Sequence, residues 1–168
     1  TPTTSTTTPP PGDVLTLTTP GPVSVSDIDT VIGSSGTDTV TMLSSGPLAV
    51  SVVETVIGTA GTDILSMLQG GTTHVSAIET VLGSAAVDTV AMLAGGPLAV
   101  SAVDTVVGSS STDTVTMLGA GSLALSGVET LLGSTGTDVA TLLGGGTLEV
   151  SLVETVLGGT AVDRVTML

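Results

Sequence analysis

The sequence predicts an all-β chain wound as a parallel β-solenoid, of the β-helix or β-roll kind, with about six coils of 25 residues. Three observations predict it. A 25-residue period runs through the chain without insertion, carried by series such as Ser26, Ser51, Ser76, Ser101, Ser126 and Ser151. Each unit contains three short aliphatic and β-branched segments, too short and too often broken by glycine for helices. Gly- or Ser-rich corners separate those segments. One unit per coil would set equivalent side chains over one another at about 4.8 Å.

The elements follow in order. Residues 1–12 (TPTTSTTTPPPG) read as a Thr/Pro-rich linker or docking arm, stiff, extended and open to O-glycosylation. Residues 13–168 form the repeat array. In the second unit the extended segments are 38–43 (DTVTML), 48–53 (LAVSVV) and 54–57 (ETVI). Alternation turns Val40, Met42, Leu48, Val50, Val53 and Val56 inward, and Thr39 and Thr41 outward. The Gly33 series (Gly33, Gly58, Gly83, Gly108, Gly133, Gly158) sits at a fixed corner, which calls for positive φ or close approach by the neighbouring coil. Two further apolar series, headed by Leu43 and Ile32, would face outward by strict alternation. Either a corner tucks them in, or they form an aliphatic stripe for lateral contact with another solenoid.

Composition excludes several function classes. Fifteen Asp and Glu stand against one Arg and no Lys, a formal net charge of −14. Such a chain repels phosphate backbones and anionic lipid, so no nucleic-acid partner and no membrane insertion are expected. No apolar run approaches the roughly 18 residues of a membrane helix. With no Cys and one His, neither a thiolate metal site nor a nucleophile–base pair of the usual kinds can be assembled. The acids repeat one another and define no distinct pocket, so no enzyme is expected.

Nearly all the acids belong to two series. One is Asp13, Asp38, Asp63, Asp88, Asp113, Asp138 and Asp163; the other is Asp29, Glu54, Glu79, Asp104, Glu129 and Glu154. Stacked at about 4.8 Å, neighbouring carboxylates would repel by roughly 0.9 kcal/mol at the dielectric of water and roughly 3.5 kcal/mol at an effective dielectric near 20. Three arrangements relieve this for the Asp38 series: solvation with partial protonation, a cap on backbone N–H groups of its own turn, or a cation among the carboxylates. Hard oxygen ligands in Gly-containing turns favour Ca2+. The second acid series reads as a solvated edge, and the Thr30 series as a stacked hydroxyl ladder between coils. His74 and Arg164 read as single surface substitutions.

The segments 33–41 (GSSGTDTVT), 58–66 (GTAGTDILS) and 133–141 (GSTGTDVAT) resemble the calcium-binding nonapeptide of the RTX, or hemolysin-type, bacterial repeat proteins. The second glycine of that motif is Ser or Thr in every turn but the last, where it is Gly159. The fourth-position glycine is replaced by Ala86, Ser111 and Ala161. The resemblance implies Ca2+ as cofactor, with Asp38, Asp63, Asp88, Asp113, Asp138 and Asp163 as ligands at the coil edge. It also implies a secreted protein at the cell surface.

The function expected from these readings is that of an extracellular structural module. It forms a stiff rod or filament on a bacterial surface or in its matrix, self-associating end to end or by lateral stacking. Two alternatives stand beside it. One is a binding solenoid whose Thr37, Thr39 and Thr41 face ice. The other is the calcium-dependent C-terminal secretion and folding region of a larger exported protein.

Overall fold

The computed structural model describes residues 3–4 and 12–168; the remainder of the predicted Thr/Pro arm lies outside the described residues. The chain is built from strands and short corners, with no helix among the described residues. It opens with β1 (Thr3–Thr4), β2 (Val14–Thr16), β3 (Gly21–Val25) and β4 (Thr30–Ile32). A triplet then recurs: β5 (Asp38–Met42), β6 (Gly46–Ser51), β7 (Thr55–Ile57); β8 (Asp63–Met67), β9 (Gly71–Ser76), β10 (Thr80–Leu82); β11 (Asp88–Met92), β12 (Gly96–Ser101), β13 (Thr105–Val107). It continues as β14 (Asp113–Met117), β15 (Gly121–Ser126), β16 (Thr130–Leu132), β17 (Asp138–Leu142), β18 (Gly146–Ser151), β19 (Thr155–Leu157) and β20 (Asp163–Met167). Odd-numbered strands make one ten-stranded sheet and even-numbered strands the other. Neighbouring strands are parallel, as in β5 with β7 and β6 with β8.

The parallel β-solenoid is therefore present, but its coil is shorter than the repeat. Gly21 pairs with Asp38, Thr39 with Thr55, and Thr55 with His74. The molecule makes about nine turns of roughly 17 residues rather than six of 25. The cause lies in the arithmetic of the unit. Each repeat supplies three strands, whereas two facing sheets close a turn with two. One repeat thus fills a turn and a half, and successive repeats begin on opposite sheets. A third wall would need a third long strand and a wider core. The short segment Thr55–Ile57 instead enters the odd sheet between the longer β5 and β9.

Twins in consecutive repeats consequently do not stack. Val40 packs beside Val23 and Val56, while its repeat equivalent Leu65 lies in the other sheet between Leu48 and Val81. Even twins two repeats apart are displaced along the strand, because three steps of pairing carry Pro22 to His74 and not to its twin Thr72.

The core follows the alternation read from the sequence. Val40, Met42, Leu48, Val50, Val53 and Val56 are all buried, as are most of their equivalents. Short branched side chains suffice here because two stacked sheets stand only about 10 Å apart. The slot needs no aromatic ring.

For two outward series the structure decides between or against the expectations. No corner tucks in the Leu43 series: Leu43, Leu68, Leu93, Leu118 and Leu143 are each more than half exposed. They follow the last residue of the five-residue strands, where the chain has left the sheet. The Thr30 series forms no ladder, since Thr30 sits between Val14 and Ala49, and Thr55 between Thr39 and His74.

Candidate functional site

The chemistry of the chain is concentrated at its corners. Asp38, Asp88 and Asp138 open strands of the odd sheet, whereas Asp63, Asp113 and Asp163 open strands of the even sheet. The six predicted ligands are thus divided between the two sheets and not gathered into one ladder. Neighbours within a sheet are three strands apart, on the order of 15 Å, and repel by only about 0.3–1 kcal/mol. The repulsion expected from stacked twins therefore falls away.

Each of these carboxylates is engaged by the backbone. Asp63 Oδ2 accepts hydrogen bonds from Thr59 N–H at 2.6 Å and from the Thr59 hydroxyl at 2.8 Å. Its Oδ1 accepts from Gly46 N–H, one turn below, at 3.0 Å. Asp38 and Asp138 repeat the pattern with Ser34 and Gly21, and with Ser134 and Gly121. Asp113 takes Ser109 N–H at 2.6 Å and the Ser109 hydroxyl on both oxygens. Asp88 takes Ser84 N–H and hydroxyl on Oδ2, and Asp163 takes Gly159 N–H at 2.7 Å. In those last two, Oδ1 has no protein partner. Asp38, Asp63, Asp88, Asp113 and Asp138 are fully buried.

The Ser or Thr that replaces the second glycine of the nonapeptide has a definite role. Its hydroxyl donates to the carboxylate and accepts from the N–H two residues on, as Thr59 Oγ1 does from Gly61 at 2.9 Å. Polar groups facing Asp38, Asp63 and Asp138 are therefore hydrogen donors. That is the donor set of a carboxylate cap, whereas a calcium ion requires several converging oxygens. Among the described residues no group of three or more His, Asp or Glu is placed to hold a metal.

The second acid series is not merely a solvated edge. Glu54 Oε2 accepts from Asp38 N–H at 2.7 Å, Glu79 from Asp63 N–H at 2.7 Å and Asp104 from Asp88 N–H at 2.8 Å. Glu129 and Glu154 serve Asp113 and Asp138 in the same way. Asp29 caps the first turn, taking Gly12 and Asp13 N–H groups at 2.7 and 3.0 Å. Each acid of this series thus holds the backbone of an Asp in the preceding turn, whose own carboxylate reaches back to its corner. Sequence reading missed this relay. Its only linear trace is the constant offset between the two series, from Asp38 to Glu54 as from Asp63 to Glu79, which has no meaning until the turn length is known.

Four shallow clefts lie between the bends that follow β3, β6, β9 and β12 and the next turn. The clefts are lined by Asp29 and Met42, Glu54 and Met67, Glu79 and Met92, and Asp104 and Met117. They are copies of one another, and none collects a distinctive set of polar groups. His74 is exposed on the odd sheet, with Nδ1 3.2 Å from the Glu54 carbonyl.

These features define the chain as a tandem-repeat parallel β-solenoid with carboxylate-capped corners. No family model matches it, and comparison with curated proteins and with solved structures returns no match.

Proposed function

We propose that this chain is a non-enzymatic structural element, a stiff rod that works outside a bacterial cell, on its surface or in its matrix. The observation that carries the reading is the continuous ladder of two ten-stranded parallel sheets, with an Asp carboxylate bonded to backbone N–H at the start of every five-residue strand from β5 to β20. A scaffold that repeats one kind of corner in every unit is suited to bearing load, and it sets no residue apart for chemistry. The extracellular assignment draws on the Thr/Pro tract at 1–12 and on the resemblance to secreted bacterial repeats.

Self-association end to end belongs to the same proposal. Val165 and Met167 in β20 are 41% and 67% exposed, whereas their equivalents Val40 and Met42 are 0% and 7%. This is the surface on which a further coil stacks, whether more of the same array supplies it or a second molecule does. Calcium is left out of this reading because Asp38, Asp63 and Asp138 take N–H or O–H donors on both carboxylate oxygens, although Oδ1 of Asp88 and of Asp163 has no protein partner.

Electron microscopy of the purified chain tests the proposal. Unbranched fibres of uniform width are expected at high concentration, with elongated particles at low concentration in solution scattering. A compact isotropic particle that never forms fibres would overturn it.

A further inference from the structure

The acids that give the chain its charge of −14 crowd the corners and leave the sheet faces nearly neutral. From β4 to β16 the outward positions of the even sheet carry no charged residue. They hold Thr, Ser, Pro and Ala, with the aliphatic side chains Ile32, Ile64, Leu82 and Leu132 spread among them. Ile32 and Leu82 are each 37% exposed. The odd sheet has a comparable composition, but His74 stands exposed in its middle and interrupts the plane.

We propose that the even-sheet face between β4 and β16 is a docking surface for the same face of a second copy, forming a two-fold dimer of solenoids. A neutral plane on a strongly acidic molecule lets two copies meet while their charged corners remain in solvent at the rim. The partner's strand spacing matches by identity, so its ridges of short side chains mesh along the whole face. Six strand spacings by five residues measure roughly 30 by 17 Å, so a pair hides on the order of 1,000 Å², about the lower bound of a specific interface. Cationic partners and nucleic acid find no complementary charge on this face. The inference rests on the rod reading and names the surface through which rods join side by side.

Sedimentation velocity across micromolar to sub-millimolar concentration tests it, using the full chain and three variants. Ala99 lies in this face, paired with Thr80 and Thr116, while Ala124 lies outward on the odd sheet. The native chain is expected to dimerise, and both Ala99→Lys and Ala99→Glu to raise the dissociation constant roughly tenfold or more, with Ala124→Lys leaving it unchanged. Circular dichroism shows whether each variant keeps its strand content. A native chain that stays monomeric throughout overturns the proposal, as does a dimer broken by Ala124→Lys and not by the Ala99 variants. Thermal hysteresis from a monomeric chain, abolished by Ala99→Lys, would overturn it in favour of ice as the occupant. Solution scattering separates this test from that of the rod: an elongated monomer that never pairs sinks the dimer alone, and a compact monomer sinks both.

Discussion

The carbonyl oxygen of Ala102 stands 1.9 Å from the point that a Cβ on Gly83 would occupy, with the carbonyl carbon at 2.6 Å. Ala102 lies one turn above Gly83 and adopts φ 54°, which swings its carbonyl down over the glycine. The same relation joins Gly33 to Val52, Gly58 to Ala77, Gly108 to Gly127 and Gly133 to Leu152. This glycine series is thus demanded by close approach. The series at Gly46 and Gly96 has open space around it but φ values of 135° and 143°, so it is demanded by backbone conformation. Gly83→Ala should cost about 3 kcal/mol, near the upper end of overpacking, because the obstructing atoms are backbone. Gly46→Ala should cost about 1–3 kcal/mol through strain alone. Urea unfolding of the two variants checks the order; a Gly83→Ala protein as stable as the parent would contradict the close approach.

Val52 occupies the left-handed region at φ 54°, an unfavourable place for a β-branched residue. Gly127 fills the equivalent position with no such penalty. Val52→Gly is expected to stabilise the chain by about 1 kcal/mol, offset in part by the entropy of the unfolded glycine. Thermal unfolding should show a rise of about 2–4 °C. Ala77→Gly, at φ 51°, should give a smaller gain because the Ala Cβ carries neither of the two methyl groups of Val.

Asp63 Oδ1 and Oδ2 receive Gly46 and Thr59 respectively, so Asp63→Asn turns an amide NH2 toward a backbone N–H. A loss of about 2 kcal/mol is expected, and Thr59→Val, which removes only the hydroxyl, should cost about 1 kcal/mol. Chelation with EGTA should leave the melting temperature of the parent unchanged. A fall of several degrees that Asp63→Asn abolishes would restore calcium as the ligand of this series.

The turn length can be measured by cross-linking, helped by the absence of native cysteine. Thr39 and Thr55 are paired neighbours on one face. Thr39→Cys with Thr55→Cys should form an intramolecular disulfide under mild oxidation, since adjacent strands stand about 4.8 Å apart and bridges form between Cα atoms at about 4.4–6.8 Å. Thr39→Cys with Ile64→Cys, twins in the repeat, should form none, because β5 and β8 belong to opposite sheets. The reverse outcome would reinstate a coil as long as the repeat.

Much of the fold was legible in the sequence. Alternation placed Val40, Met42, Leu48 and Val50 inward, and the structure buries each of them. Of the three segments of the second unit, 38–43 and 54–57 match β5 and β7 to within a residue, whereas 48–53 starts and ends two residues later than β6. The coil length was not legible, because a repeat reports the smallest unit that recurs and not how many walls it builds. Three strands wound around two sheets give the same periodicity as three strands around three. Alternation also pointed Leu43 outward, where the structure leaves it, but it could not say whether the corner just beyond β5 would fold that side chain back in. The corner relay was half visible: capping by Asp38 could be reasoned from local turn chemistry, but Glu54 meets Asp38 only across turns.

Because one repeat spans a turn and a half, each repeat faces the opposite way to the one before it. An array that gains or loses a single repeat therefore inverts every residue downstream, exchanging front for back while the backbone continues undisturbed. Only even changes return those residues to their original face, shifted along the strand. Parity in the number of units becomes a heritable property of such an array, and duplication of one unit can turn a distal surface over without altering a side chain.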